Sequence, residues 1–295
     1  MRRVVVLAGV LLLVGIDGAS LPLTILYTND LNLRLQRLES IERLIAEERA
    51  KSDVILLLDA GDTWQDFRRL LPMVWGAHKA VEWMNRVGYD AMALGNHDMY
   101  WGAKRLRELV RRAEFPVLCA NLVPVRRGAV TFLSSTELDV EGICILVIGL
   151  ITEELLPYSA YPSLRPIDPA VAVRAEIARA TNPADVVVVV AHLPVADAIR
   201  VASAMPEIDV FVTGHSHEET SEPVRVGDTL IVQSGAFGQK LGRLVIDVAL
   251  GGGRHRLIAN ELIPTDKAPA DVSRGLRQLV TVALAAAAVA LLVLL

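Results

Sequence analysis

The sequence predicts an α/β fold of two packed mixed sheets with helices on the outside. Three observations predict it. Short apolar runs rich in β-prone residues alternate with amphipathic helical stretches. Four polar motifs each follow such a run, where an α/β sheet presents side chains to a ligand. Near the C-terminal end the alternation gives way to strand-like runs broken by the turn Gly251-Gly252-Gly253. A length of 295 residues allows one large domain or two small ones, and 53% hydrophobic residues supply ample core.

In chain order, residues 23–27, 54–58 and 91–94 read as strands. A helix is expected over 34–51, with Leu35, Leu38, Ile41, Leu44 and Ile45 on one face. Residues 74–87 and 103–113 read as further helices. The runs 130–138 and 143–150 read as antiparallel strands. Helices over 169–180 and 195–204 flank strands at 186–190 and 210–212. Residues 230–232, 241–250 and 254–262 read as a closing antiparallel group. No internal repeat is visible.

The polar motifs are Asp30-Leu31-Asn32, Gly61-Asp62-Thr63-Trp64-Gln65, Gly95-Asn96-His97-Asp98 and Gly214-His215-Ser216-His217, with a lone Ala191-His192 before the last. Of the six histidines, only His78 and His255 lie outside these segments. Oxygen donors and imidazoles gathered at strand ends are what two cations roughly 3.5–4 Å apart require. One carboxylate must bridge such a pair, and neutral imidazoles and an amide oxygen can complete it. Asp30, Asp62, Asn96, His192, His215 and His217 suit those positions. No cysteine occurs in the motifs, which argues against a structural zinc site.

The motif order resembles the calcineurin-like metallophosphoesterase superfamily, nearest to its 5′-nucleotidase branch. Thr28-Asn29-Asp30, Leu58-Asp59-Ala60-Gly61-Asp62-Thr63, Ala93-Leu94-Gly95-Asn96-His97-Asp98 and Gly214-His215-Ser216-His217 carry the resemblance. Val117-Leu118-Cys119-Ala120-Asn121 and Gln233-Ser234-Gly235 extend it, so that it runs from about Leu23 to Leu262. It implies a four-layer αββα sandwich of two mixed sheets. It implies two divalent ions (Mn, Zn, Mg or Fe) bridged by Asp62, with Asp30 and His217 on the first and Asn96, His192 and His215 on the second. His97 would face the phosphate of a small phosphorylated substrate, with Asp98 beside it as a candidate catalytic partner. The implied reaction is hydrolysis of phosphate esters by a metal-bridging hydroxide attacking in line. Two alternatives stand beside it: hydrolysis of a non-phosphate, sulfur-carrier type ester, and a metal-binding scaffold that has lost part of the site.

Three positions depart from the family pattern. Asn32 replaces the usual histidine of the first motif and is open between metal ligand and spectator. Leu33 stands where a glycine commonly follows. Tyr100 occupies the place of an Asp that often orients the catalytic histidine. Gln65 reads as a loop-organising amide. Arg68 and Arg69 read as a solvated pair, and Arg105, Arg107, Arg111 and Arg112 as the solvated face of one helix.

A net charge of −4 gives no basic footprint for nucleic acid, so no nucleic-acid partner is expected. Cys119 and Cys144 read as buried thiols outside any disulfide framework. Residues 1–20 begin with Met1-Arg2-Arg3 and continue apolar, as a signal peptide or an N-terminal anchor would. The catalytic domain is expected over 21–263 and a linker over 264–275. The uncharged stretch within 276–295 is expected to be a hydrophobic membrane anchor. The expected location is therefore exported, membrane-anchored and extracytoplasmic.

Overall fold

The computed structural model describes residues 20–65, 70–127, 129, 131–154, 160–251 and 253–266. The expected N-terminal signal or anchor, the C-terminal anchor, most of the linker and Arg68 with Arg69 lie outside the described residues.

The chain begins with β1 (Ser20–Thr28), a single 3₁₀ turn and α1 (Leu38–Arg49). There follow β2 (Ile55–Asp59), α2 (Leu70–Val87), β3 (Ala91–Ala93), a 3₁₀ turn at Asp98–Trp101, α3 (Gly102–Arg112), β4 (Val117–Leu118) and β5 (Leu122–Pro124). Next come β6 (Ser135–Val140), β7 (Ile143–Ile151), β8 (Leu164–Pro166), α4 (Pro169–Arg179), β9 (Val186–His192) and α5 (Val195–Ala204). The last strands are β10 (Val210–Thr213), β11 (Val224–Val226), β12 (Thr229–Val232), β13 (Lys240–Ala249) and β14 (Arg256–Pro264).

Two six-stranded mixed sheets result, ordered β14-β13-β1-β2-β3-β4 and β11-β12-β10-β9-β7-β6. In the first, β1 to β4 run parallel and β13 joins β1 antiparallel. In the second, β7, β9, β10 and β12 run parallel, with antiparallel strands at both edges. Strand periodicity sorts the side chains into layers. Leu23, Ile25 and Tyr27 of β1 meet Val186, Val188 and Val190 of β9 in the core between the sheets. Leu26, Leu57 and Met92 face the other way, onto Ile41, Val81 and Leu106 of the first three helices. Val189, Phe211 and Ile231 turn outward beneath Val173 and Val201 of α4 and α5. The four αββα layers follow, and strands covered on both faces explain the near-continuous apolar runs.

Several boundaries differ from those expected. β1 reaches back at least to Ser20, which pairs with Ala249 of β13. β6 is later than the expected 130–138, since the turn Glu141-Gly142, with φ of 51° and 86°, sets the Val140–Ile143 hairpin register. Residues 230–232 do not join a single closing group. β12 lies parallel to β10 in the second sheet, and the chain crosses to the first sheet before β13. Contacts also continue past residue 263: Thr265 is buried, and Arg37 donates to its carbonyl and hydroxyl oxygens at 2.7 and 2.8 Å. Both cysteines are free, and Cys144 is only partly buried.

Candidate active site

The C-terminal ends of the parallel strands of both sheets open onto one place, and backbone bonds lock the loops there together. Asp30 N–H donates to Gly61 O and Asn32 N–H to Asp62 O, each at 2.9 Å, and Phe237 N–H donates to Asp30 O at 2.7 Å. Asp30, Asn32, Asp62, His215 and His217 all sit at φ between 47° and 72°. Asn, Asp and His tolerate this left-handed region better than most residues, so the loops can be tightly coiled with functional side chains in place. Glycine is needed at two close approaches. A Cβ on Gly95 would lie 2.1 Å from Asp62 Oδ1, and one on Gly214 would lie 2.9 Å from Ala60 O and 3.1 Å from His192 Nδ1.

Asp30, Asp62 and His192, all buried, offer ligand atoms within 4.8 Å of one another. His192 Nε2 is 3.1 Å from Asp62 Oδ2 and 4.0 Å from Asp30 Oδ1. His217 Nε2 approaches Asp30 Oδ1 at 3.3 Å, and His215 Nδ1 faces His192 Nε2 at 3.3 Å. The remaining polar atoms of these groups are already committed. Asp30 Oδ2 accepts from Asn29 Nδ2 at 2.8 Å and from His215 N–H at 2.9 Å. Asp62 Oδ1 accepts the His97 N–H at 2.8 Å. His192 Nδ1 bonds Ala60 O at 2.8 Å, which leaves Nε2 pointing inward. Buried polar atoms normally find partners, yet Asp30 Oδ1, Asn32 Oδ1 and both amide atoms of Asn96 have no hydrogen bond among the described residues. Oxygens left without a donor, converging from two sheets beside inward-facing imidazole nitrogens, fit divalent cations.

The electrostatics agree. Burial alone would hold the His192 imidazole down, but the Asp62 and Asp30 carboxylates outweigh it and push it up to about 10. Burial pushes Asp62 up, yet His192 and His97 leave it below the usual carboxylate range. The pocket therefore favours positive charge at its centre.

The other sequence candidates fall as follows. His97 lies at the rim, its side chain 18% exposed and its Nδ1 3.9 Å from Asp62 Oδ2, with the Tyr100 ring edge-on at 5.5 Å. Asn32 is buried, and its Nδ2 donates to Asp30 O at 3.0 Å. Asp98, the candidate partner of His97, lies away from the inward-facing atoms. It is fully buried, Oδ2 accepting from Asp62 N–H and Gly95 N–H at 2.9 and 3.0 Å and Oδ1 from Trp64 N–H at 2.8 Å. Burial and the Asp62 charge push its carboxyl well up, against those bonds. Asp98 therefore holds the second and third loops together and presents no oxygen to a substrate. His78 and His255 stand apart from the site, beside Glu108 and Asp209.

Three organising residues carried no assigned role in the sequence reading. Asn29 donates to Asp30 and to Gly235 O, and accepts from Ser234 N–H and Oγ. Asp59 accepts from the Thr28 and Thr63 hydroxyls and from Gly61 N–H, and burial raises its carboxyl to about 7. Glu154 reaches His215 Nε2 at 3.0 Å from the loop after β7. That loop follows an apolar run as the four motifs do, and this position was the available signal.

Two stacked mixed sheets with a buried Asp/His cluster across their adjoining strand ends define an enzyme of the metal-dependent phosphoesterase class. The chain belongs to the calcineurin-like phosphoesterase family, whose profile matches residues 23–219. The 5′-nucleotidase of Vibrio vulnificus is 28% identical over 292 residues, covering 83% of this chain and 52% of that protein. The structure of a 5′-nucleotidase precursor from Thermus thermophilus superposes with a TM-score of 0.74 at 23% identity, covering 91% of this chain and 59% of the other. A sulfate thiohydrolase of Thermus thermophilus superposes at 0.71 and 22% identity, covering 83% and 58%. These two likenesses show the fold. The chain spans about half the length of the curated relatives it matches.

Proposed function

We propose that this domain hydrolyses phosphate monoesters of the nucleotide type with two divalent cations. The observation that carries the proposal is the convergence of Asp30 Oδ1, Asp62 Oδ2, His192 Nε2 and His215 Nδ1, while the outward atoms of the same groups are held by other partners. Asp62, between the two groups, would be shared by both cations. Asp30 and His217 would hold the first, with the Asn32 amide oxygen at hand. Asn96, His192 and His215 would hold the second.

Bound there, such cations lower the pKa of a water and neutralise phosphoryl oxygens. The chain's own part is placement. Ala60 O fixes the His192 ring, Asn29 fixes Asp30, and Asp98 fixes the backbone of Asp62. His97 at the rim, beside the Asp62 carboxylate, stabilises the charge that develops on the phosphoryl group or protonates the leaving oxygen. The nucleotide class rests on the likeness to 5′-nucleotidases, which stops at about half their length. The test is metal analysis of the purified chain alongside hydrolysis of p-nitrophenyl phosphate and nucleoside 5′-monophosphates. Two ions per chain with hydrolysis lost in Asp62→Asn is the expected result. Retained hydrolysis in that variant would overturn the mechanism.

We also propose export and anchoring through residues 276–295, on the strength of the apolar, uncharged stretch 279–295 within them. Among the described residues no helix is long and apolar enough to cross a membrane. Fractionation of the chain with and without residues 276–295, each lacking residues 1–20, is expected to leave only the longer form in membranes. Both forms in the soluble fraction without detergent would overturn the anchor.

A further inference from the structure

We propose that Glu154 is a positioning residue for the second cation site, acting through His215; this rests on the two-cation reading above. His215 places Nδ1 toward His192 Nε2 at 3.3 Å, and its opposite nitrogen, Nε2, meets Glu154 Oε2 at 3.0 Å. An imidazole has one nitrogen to give a cation. The other must carry the proton, and an acceptor there fixes both the tautomer and the ring's rotation. Were the ring to turn over about its Cβ–Cγ bond, a carbon would replace Nδ1 at the site. The carboxylate holds Nε2 outward and so keeps the Nδ1 lone pair inward.

Glu154 is itself held by the fold. Thr152, buried at the end of β7, donates its N–H to His192 O at 2.7 Å. The Thr152 hydroxyl then accepts the Glu154 N–H at 3.1 Å. One turn below, Asn121 clamps Ile151 from both sides, donating to its carbonyl and accepting its N–H, each at 2.8 Å. Two imidazoles of the second site are thus referred to one short segment: His192 through Thr152, and His215 through Glu154. The Glu154 side chain is 65% exposed, whereas that of His215 is only 14% exposed. An ion pair so open to water contributes little to folding, typically under about 1 kcal/mol. Its effect should therefore appear in cation binding and not in stability.

Calorimetric titration of the full chain with Mn²⁺ tests this. In Glu154→Ala, one of two binding steps should weaken about 10- to 100-fold, the usual cost of losing such a partner. The other step and the melting temperature should stay unchanged. Glu154→Gln keeps an acceptor for the Nε2 proton and should recover part of the loss, and Thr152→Val should weaken the same step as Glu154→Ala. Two wild-type-like steps in Glu154→Ala would overturn the inference and leave the two-cation reading intact. So would an equal loss in both steps with a lowered melting temperature. No Mn²⁺ bound by the wild-type chain would overturn that reading, and this inference with it.

Discussion

Leu33 fills the space above Gly76: a Cβ placed on Gly76 would stand 3.1 Å from both methyl carbons of Leu33. Leu33 is 2% exposed and sits at φ 53°, in the left-handed region. That conformation costs a residue with a Cβ about 1–2 kcal/mol. Burial of the leucine side chain returns about 1.5–3 kcal/mol, enough to offset it. Position 33, where the family commonly has glycine, can thus carry a large side chain because Gly76 of helix α2 presents none opposite it.

The two positions should therefore be coupled. Gly76→Ala is expected to lower stability by about 1–3 kcal/mol, the range for overpacking, since Leu33 is pinned by its backbone. In a Leu33→Ala background the same change should stabilise by about 1 kcal/mol, because alanine is the better helix former. Urea denaturation of the four chains measures the cycle. Additive effects would mean that the Leu33 contact does not set the cost.

His97 should separate chemistry from cation binding. Its side chain lies at the rim, with Nδ1 3.9 Å from Asp62 Oδ2, while its backbone N–H donates to Asp62 Oδ1 at 2.8 Å. His97→Ala is expected to slow turnover on the order of 10²- to 10⁴-fold. Metal content should stay at the wild-type value. Loss of metal in this variant would move His97 into the group that holds the cations.

Much of this was legible in the sequence, for physical reasons. β1, β2, β7, β9 and β10 are apolar runs because both faces of each strand are covered, and a polar residue directly after such a run stands out. The short strands β4, β5, β8 and β11, two or three residues each, are too brief to show a period. The direction of Asp98 was not legible, because adjacency to His97 says nothing of where a side chain points. The 3₁₀ turn at Asp98–Trp101 sends its carboxylate back under Gly95 and Asp62. Residues 230–232 were grouped with 241–250 and 254–262, although β12 pairs with β10, because an apolar run does not name its partner strand. Glu154 belonged to no motif, and only the fold brings it to His215.

His255 predicts a pH dependence of stability far from the site. Its Nε2 is 3.5 Å from Asp209 Oδ1, a contact that joins the β13–β14 turn to the second sheet. The Asp209 hydrogen bond raises its pKa above the ordinary value of 6.5, against burial and with further help from the charges of Asp209 and Asp185. A raised folded-state value means that protonation favours the folded chain. The contribution is complete below about pH 6.5 and disappears as pH rises through the raised value. His255→Gln should therefore lower the melting temperature more at pH 5.5 than at pH 9. An equal or larger loss at pH 9 would reverse the assignment.

Asp98→Asn tests whether Asp98 organises the site or acts on substrate. The two oxygens accept three backbone N–H groups between them, from Asp62, Gly95 and Trp64. An amide has one oxygen and one NH₂. Whichever way it turns, the NH₂ must face at least one backbone N–H, a buried clash of donors. Leaving a buried donor unmet costs about 1–3 kcal/mol. The Asp62 backbone, held at φ 57° by this bond, would lose its brace. Stability, cation affinity and turnover should therefore fall together in Asp98→Asn, as thermal unfolding, metal titration and hydrolysis would show. A residue that merely gave a proton to the leaving group would lose turnover alone. A variant with wild-type melting temperature and metal affinity but slow turnover would return Asp98 to the catalytic group.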